Sequence, residues 1–126
     1  MLDRKIVLVS NNRETLDGVR AYLQRAGANL SGTARLDDAS AAATGADAVV
    51  LFADDYPRQA ALDTATTLRQ LLPRTLLVVV TDDVHAFTPA SFARDGCSVV
   101  VLRRPAWGWM LVEAVRTRSP VVGGDS

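Results

Sequence analysis

Residues that build disulfide frameworks and metal centres are nearly missing from this sequence. There is one cysteine, Cys97, and one histidine, His85, which excludes an intrachain disulfide and a zinc site made of cysteine and imidazole ligands. No apolar run approaches the roughly 20 residues that cross a bilayer, and no apolar segment of a signal peptide follows the charged N-terminus. Because a chain without disulfides suits a reducing compartment, we expect a cytoplasmic protein.

An excess of charge of either sign is also missing. The 14 basic and 14 acidic residues give a formal net charge of zero. Nucleic acids and anionic membranes attract basic surfaces, so this balance argues against both as partners. The 126 residues, 48% of them hydrophobic, are enough for the core of one globular domain.

Apolar segments recur along the chain without the alternation of a half-exposed strand. Strands that are apolar on both faces are typical of a buried parallel sheet. A fifth, more polar segment at residues 29–34 is typical of an edge strand. The four apolar segments are Lys5–Ser10, Val49–Ala53, Leu76–Thr81 and Val99–Leu102.

Helical patterns fill the gaps between these segments, at residues 13–26, 38–44, 57–72, 88–96 and 106–118. Asn11 and Glu14 have the spacing of a capping box for the first helix. The strict alternation predicts a flavodoxin-like α/β fold, a doubly wound parallel five-stranded sheet of order 2-1-3-4-5 with helices on both faces. We expect residues 1–118 to form this domain and residues 119–126 to be a flexible tail or the start of a linker.

Ligands of such sheets bind at the carboxyl ends of the strands. No glycine-rich phosphate loop follows any strand, so dinucleotide and P-loop chemistry are not expected. No serine or cysteine stands in a nucleophile elbow. The sequence therefore predicts a protein that is not an enzyme.

Several strand ends resemble those of response regulator receiver domains, the CheY-like family, over about residues 4–117. The resemblance rests on four segments taken together: Lys5–Asn12, Asp47–Pro57, Val80–Thr81 and Arg104–Pro105. They are similar to the first strand of receivers, the third strand with its downstream proline, the fourth strand with its hydroxyl residue, and the Lys-Pro pair after the fifth strand. The resemblance implies a role in bacterial two-component signal transduction and phosphorelay.

The acidic positions of receivers are changed in this sequence. Receivers hold Mg²⁺ with two acids at the end of the first strand, where this chain has Ser10 and Asn11. Mg²⁺ prefers carboxylate oxygens and water, so we expect no metal site and no cofactor. The phosphoacceptor position falls on Ala53 when counted back from the proline, and on Phe52 when counted forward from Asp47. Neither side chain can form an acyl phosphate.

Asp54 lies one residue beyond the acceptor position on either count. A shift of one residue along a strand reverses the direction of a side chain, so Asp54 is expected to point away unless a β-bulge redirects it. Thr81 is the retained hydroxyl residue. The following position, small in receivers, is Asp82. Aspartates here are also common turn and N-cap residues, which is the interpretation we favour over a displaced metal site.

The conserved lysine of receivers is replaced by Arg104, or by Arg103 if the fifth strand is aligned from Gly96. An arginine here could pair with Asp54 or Asp82, which we favour because an unpaired buried cation is costly, or it could form part of an anion site. The aromatic switch position of receivers is Val101.

The resemblance and these departures together imply a pseudo-receiver, a protein–protein interaction module that acts without phosphorylation. It would bind a protein partner or a second copy, as a dimer, through the surface shared by the predicted fourth helix, fifth strand and last helix. On that surface we expect Val101, Trp107, Met110 and Ala114.

Two alternatives remain open at this stage. A receiver phosphorylated at Asp54 requires that the side chain point into the pocket next to Thr81. A sensor of a small anion or nucleotide would use Arg104, Thr81 and Asn11.

Overall fold

Five parallel strands form one sheet in the order β2-β1-β3-β4-β5. The computed structural model describes residues 4–72, 74–87, 99–104 and 108–118. This sheet confirms the predicted flavodoxin-like architecture and strand order. The strands are β1 (Lys5–Val9), β2 (Asn29–Thr33), β3 (Ala48–Phe52), β4 (Leu76–Thr81) and β5 (Val99–Arg103).

Four helices are described around the sheet, each within a few residues of its predicted position. They are α1 (Arg13–Arg25), α2 (Ala39–Ala43), α3 (Arg58–Leu71) and α4 (Gly108–Arg118). The helix predicted at residues 88–96 and the tail predicted at residues 119–126 lie outside the described residues. None of the described helices has the length and apolar character needed to cross a membrane.

Helices cover both faces of the sheet, which explains why its strands are apolar without alternation. In β1, Val7 and Val9 belong to the core beneath α2 and α3. Ile6 and Leu8, between them, belong to the core beneath α1 and α4. All residues of the central strand β3 are buried, whereas the edge strand β2 is mostly exposed.

The start of α1 differs by one residue from the predicted capping box. Asn12 is the N-cap, and its Oδ1 accepts a hydrogen bond from the Thr15 N–H at 3.2 Å. The prediction that Asn11 caps this helix was wrong because the strand-to-helix turn is one residue longer than the capping-box spacing assumed. The Asn11 carboxamide therefore remains available for a contact with another strand end.

The strands β1, β3, β4 and β5 end at about the same level along the sheet. Phe52 at the end of β3 is in register with Val80, and Thr81 at the end of β4 is in register with Arg103. β1 ends at the same level beside β3. Polar residues that follow these strands are thereby brought to one edge of the sheet.

Candidate functional site

Two buried hydroxyl groups flank the central strand at this edge. Ser10 directly follows β1 and Thr81 ends β4, and both residues are fully buried. Each hydroxyl oxygen accepts a backbone N–H from two residues further on, Asn12 for Ser10 and Asp83 for Thr81, both at 3.0 Å. Since a hydroxyl that accepts one bond still has a proton to donate, each is directed toward a second partner.

Those second partners are two consecutive aspartates in the turn after β3. Residues 53–55 form a single 3₁₀ turn, and because β3 lies between β1 and β4, its aspartates reach the two neighbouring strands. The Thr81 hydroxyl donates to Asp54 Oδ1 at 2.7 Å. The Ser10 hydroxyl donates to Asp55 Oδ2. We call this arrangement the aspartate clamp: Asp54 on Thr81 and Asp55 on Ser10.

The Asp54 carboxylate has two more donors. The Asp82 N–H donates to Oδ2 at 2.8 Å, and Arg104 Nη1 lies 3.4 Å from the same oxygen. Burial raises the pKa of this carboxyl group, but the hydrogen bonds from Thr81, Asp82 and Arg104 outweigh burial, and the pKa is lowered overall. With 26% of its side-chain surface exposed, Asp54 is an anion held by a hydroxyl, an amide and a guanidinium.

The direction of Asp54 corrects the expectation drawn from strand alternation. That rule requires β3 to continue through Asp54, but the strand ends at Phe52 and the chain enters the 3₁₀ turn. The turn points Asp54 at Thr81 without a β-bulge. Both residues counted as acceptor positions are apolar and buried, Ala53 in the core beneath α3 and Phe52 in the core beneath α1.

The positions where receivers hold Mg²⁺ present hydrogen-bond donors in this chain. The Ser10 hydroxyl donates to the Asp55 carboxylate, and Asn11 Nδ2 donates to the Asp55 backbone oxygen at 2.9 Å. A hard divalent cation needs several oxygen ligands with negative charge among them. Within the described ranges, no three histidine, cysteine, aspartate or glutamate side chains come together to hold a metal ion. These residues therefore do not fit the Mg²⁺ of receivers.

The other charged residues of the predicted site are spread along its rim. Arg104, rather than Arg103, is the arginine that pairs with Asp54. Arg103 and Asp82 are exposed. Asp83 forms an ion pair with Arg58, with 2.9 Å between Nη2 and Oδ2. A pocket of about 180 Å³ opens beside Asp54 and Arg104.

Asp55 and Tyr56 contribute to the site although neither was among the predicted site residues. Asp55 is the partner of both the Ser10 hydroxyl and the Asn11 carboxamide. The Tyr56 hydroxyl donates to the Ala34 backbone oxygen at 2.7 Å and so ties the turn to the segment after β2. Burial, and secondarily the charge of Asp55, raise the pKa of Tyr56 to about 12. The one available signal was the pair of aspartates directly after a buried strand.

The phase of α4 settles which of its residues face the core. Leu111 and Val115 are fully buried. Ala114 is also buried, at 8% exposure, and packs in the core beneath α1 and α4. Its predicted place on a binding surface is therefore corrected, because one turn of helix presents Ala114 to the sheet together with Leu111.

The remaining residues of the predicted binding surface are only partly described. Val101 and Met110 are half-buried, and Val101 packs against the core beneath α3. Trp107 lies outside the described residues. Trp109 is the most exposed large apolar side chain of α4, at 60%.

Several solved structures similar to this chain are response regulator receiver proteins. One from Clostridium thermocellum superposes with a TM-score of 0.74 and 16% identity, covering 89% of this chain and 90% of that one. A receiver protein from Sinorhizobium medicae gives 0.68 and 21%, covering 90% and 91%. A Burkholderia pseudomallei response regulator with a phosphorylated aspartic acid, a calcium ion and citrate gives 0.73 and 18%, covering 91% and 68%.

No family model matches this sequence, and no curated protein matches it significantly. The likeness is one of structure, with TM-scores of 0.68 to 0.74 at 16% to 21% sequence identity. The chain therefore has the fold of the CheY-like response regulator receiver domains.

Proposed function

We propose that this chain is a cytoplasmic receiver-fold module of two-component signalling that acts without phosphorylation and without enzymatic activity. The observation that carries the proposal is the pair of hydrogen bonds from Ser10 and Asn11 to Asp55. They link the end of β1 to the turn after β3 with neutral donors, at the place where receivers use a metal ion and two acids. The resulting link needs neither Mg²⁺ nor a phosphoryl group.

The position of the acceptor supports the same proposal. Counting back from Pro57 reaches Ala53, which has no nucleophilic atom and is only 3% exposed. Phosphoryl transfer to a carboxylate needs an accessible oxygen and a means of neutralising charge on the phosphoryl group. Neither is available at this position, so signalling would rest on binding rather than on a phosphorylation cycle.

The experiment is treatment with acetyl phosphate in Mg²⁺, followed by measurement of the intact mass. We expect no mass increase in the wild-type chain, while a receiver with the usual acids, treated in parallel, gains one phosphoryl group. Stoichiometric addition that maps to an aspartate of this chain would refute the proposal.

A protein partner, or a second copy of the chain, would bind at the β5 edge of the sheet, between Val101, which packs against the core beneath α3, and Met110 on α4, which covers the opposite face. Both side chains are half-buried, so each leaves apolar surface that a partner could cover. Met110→Ala should weaken association in sedimentation velocity. Trp109→Ala is the matched control because its side chain leaves the same helix about 100° further round. Equal association of wild type and both variants would argue against this surface.

A second candidate is a receiver phosphorylated at Asp54. The observation that favours it is the 2.7 Å hydrogen bond between the Thr81 hydroxyl and Asp54 Oδ1, because this alternative requires that proximity. With acetyl phosphate, a carboxylate oxygen would form a bond to phosphorus and acetate would leave. Asp54→Asn decides the matter: a mass increase present in the wild type and lost in this variant would assign the acceptor to Asp54.

A further inference from the structure

Donors from two strand ends converge on one point at the edge of the sheet. The Thr81 hydroxyl, the Asp82 N–H and the Arg104 guanidinium all meet the Asp54 carboxylate, at 2.7, 2.8 and 3.4 Å. A hydroxyl, an amide and a guanidinium are the groups that proteins use to bind oxyanions, and charge assistance strengthens each bond.

Two of these donor residues are also held by contacts that do not involve Asp54. The Thr81 oxygen accepts the Asp83 N–H at 3.0 Å, which directs its proton outward. The Arg104 N–H bonds the Thr81 backbone oxygen at 3.3 Å, which fixes the base of the arginine beside β4. The Thr81 hydroxyl and the backbone of Arg104 are therefore placed independently of Asp54, whereas the Arg104 guanidinium, with 51% of its side chain exposed, has the carboxylate as its partner and could follow an anion that replaces it.

We propose that Thr81, Asp82 and Arg104 form an oxyanion site and that Asp54 is its built-in ligand, a carboxylate supplied by the chain itself. When the carboxylate is removed, the site takes a small inorganic oxyanion such as phosphate. This inference deepens the proposed function, because a site that is always filled holds the end of β4 and Arg104 in one arrangement without an external signal.

Occupancy by Asp54 also explains why the wild-type chain would respond poorly to free anions. A group attached by a short tether competes at an effective concentration of about millimolar or more. An external anion would in addition approach the negative charges of Asp54 and Asp55. Under this proposal the wild-type chain is therefore not an anion sensor, although Thr81 and Arg104 are donors at the site.

The test is a titration of the Asp54→Ala variant with inorganic phosphate, followed by thermal unfolding and compared with chloride at matched ionic strength. We expect a saturable rise of Tm in phosphate for the variant, because an anion that binds only the folded state stabilises it. The apparent phosphate affinity of the variant should exceed that of the wild type by about tenfold or more, since the tethered competitor is gone.

Asp55→Ala is the matched control. It removes the neighbouring carboxylate, whose side-chain donor is the neutral Ser10 hydroxyl. Phosphate should not raise its Tm above the effect of chloride. The double variant Asp54→Ala/Arg104→Gln should lose most of the response of Asp54→Ala.

Three results would overturn the proposal. Asp54→Ala and Asp55→Ala could respond equally to phosphate, the wild type could bind phosphate as tightly as Asp54→Ala, or phosphate could fail to raise the Tm of Asp54→Ala. If Asp54→Ala is unfolded in chloride, the readout becomes folding itself. Phosphate must then restore the native circular dichroism spectrum, and failure to do so counts against the site. Phosphorylation of the wild-type chain would refute the proposed function, whereas the phosphate response of Asp54→Ala decides this inference separately.

Discussion

Replacing Thr81 by valine tests the aspartate clamp at one of its two fully buried hydroxyl groups. Valine keeps the β-branched shape that suits the end of β4 and removes only the hydroxyl. The change deletes the bond donated to Asp54 at 2.7 Å and the bond accepted from the Asp83 N–H at 3.0 Å. It leaves the sheet register and the apolar packing beneath Thr81 in place.

The expected loss of stability follows from the nature of these two bonds. A hydrogen bond to a charged group contributes about 1.5–3 kcal/mol. With 26% of the Asp54 side chain exposed, water partly replaces the lost donor, which favours the lower half of that range, about 2 kcal/mol. The Asp83 N–H adds little, because Asp83 is partly exposed and water can take its bond. For a domain of this size, about 2 kcal/mol corresponds to a fall in Tm of roughly 8 °C.

The assay is urea unfolding followed by far-UV circular dichroism, with Thr66→Val as the matched control. Thr66 makes a hydrogen bond to the Leu62 backbone oxygen on the exposed side of α3, so its replacement should change the free energy of unfolding by less than about 0.5 kcal/mol. In a double-mutant cycle, Thr81→Val and Asp54→Asn should be non-additive by about 1 kcal/mol, because asparagine removes the charge that strengthens the same bond that Thr81→Val deletes. Equal effects of Thr81→Val and Thr66→Val, or strict additivity with Asp54→Asn, would refute the reasoning.

Two further changes test the charge of Asp54 and the contact between α1 and α4. The pKa of Asp54 is lowered from 3.8 on folding, so its contribution to stability is complete above about pH 4 and is lost as the pH falls through the folded-state pKa. The free energy of unfolding of Asp54→Asn should therefore fall less than that of the wild type between pH 7 and pH 2.5, as measured by urea unfolding. A Cβ added to Gly108 would lie 2.5 Å from Tyr22 Cγ. Gly108→Ala should therefore lower Tm through this clash, although alanine favours a helix more than glycine does. The double variant Gly108→Ala/Tyr22→Ala should recover the Tm, because the ring is gone. A Tm raised by Gly108→Ala alone would contradict this contact.

The fold was predictable because burial leaves a direct trace in the sequence. A strand covered on both faces is apolar at nearly every position, and β3 and β4 are fully buried in the structure, with Thr81 as their one polar residue. The polar segment at Asn29–Thr33 is likewise the edge strand that its composition predicted. Strand order then follows from alternation of strands with helices and the handedness of their connections.

The site was predictable only in part, because it depends on where each strand stops. The direction of Asp54 was wrongly expected because the sequence does not show whether β3 ends at Phe52 or continues. An error of one residue in where β1 gives way to α1 likewise led to Asn11 being predicted as the cap of α1, whereas the cap is Asn12. Ala114 was assigned to a surface since alanine is small enough for either the core or the surface of a helix, and only packing against the sheet decides between them.

The aspartate clamp also has a consequence for the order in which the chain folds. Its two hydroxyl–carboxylate contacts join residues 45 and 27 positions apart, so they can form only after β1, β3 and β4 have come together. Contacts of such sequence separation carry a high cost of loop closure and form late. We therefore expect the amide protons of Asn12 and Asp82 to gain protection from hydrogen exchange after those of the central strands, which would make the clamp a kinetic marker of the completed sheet.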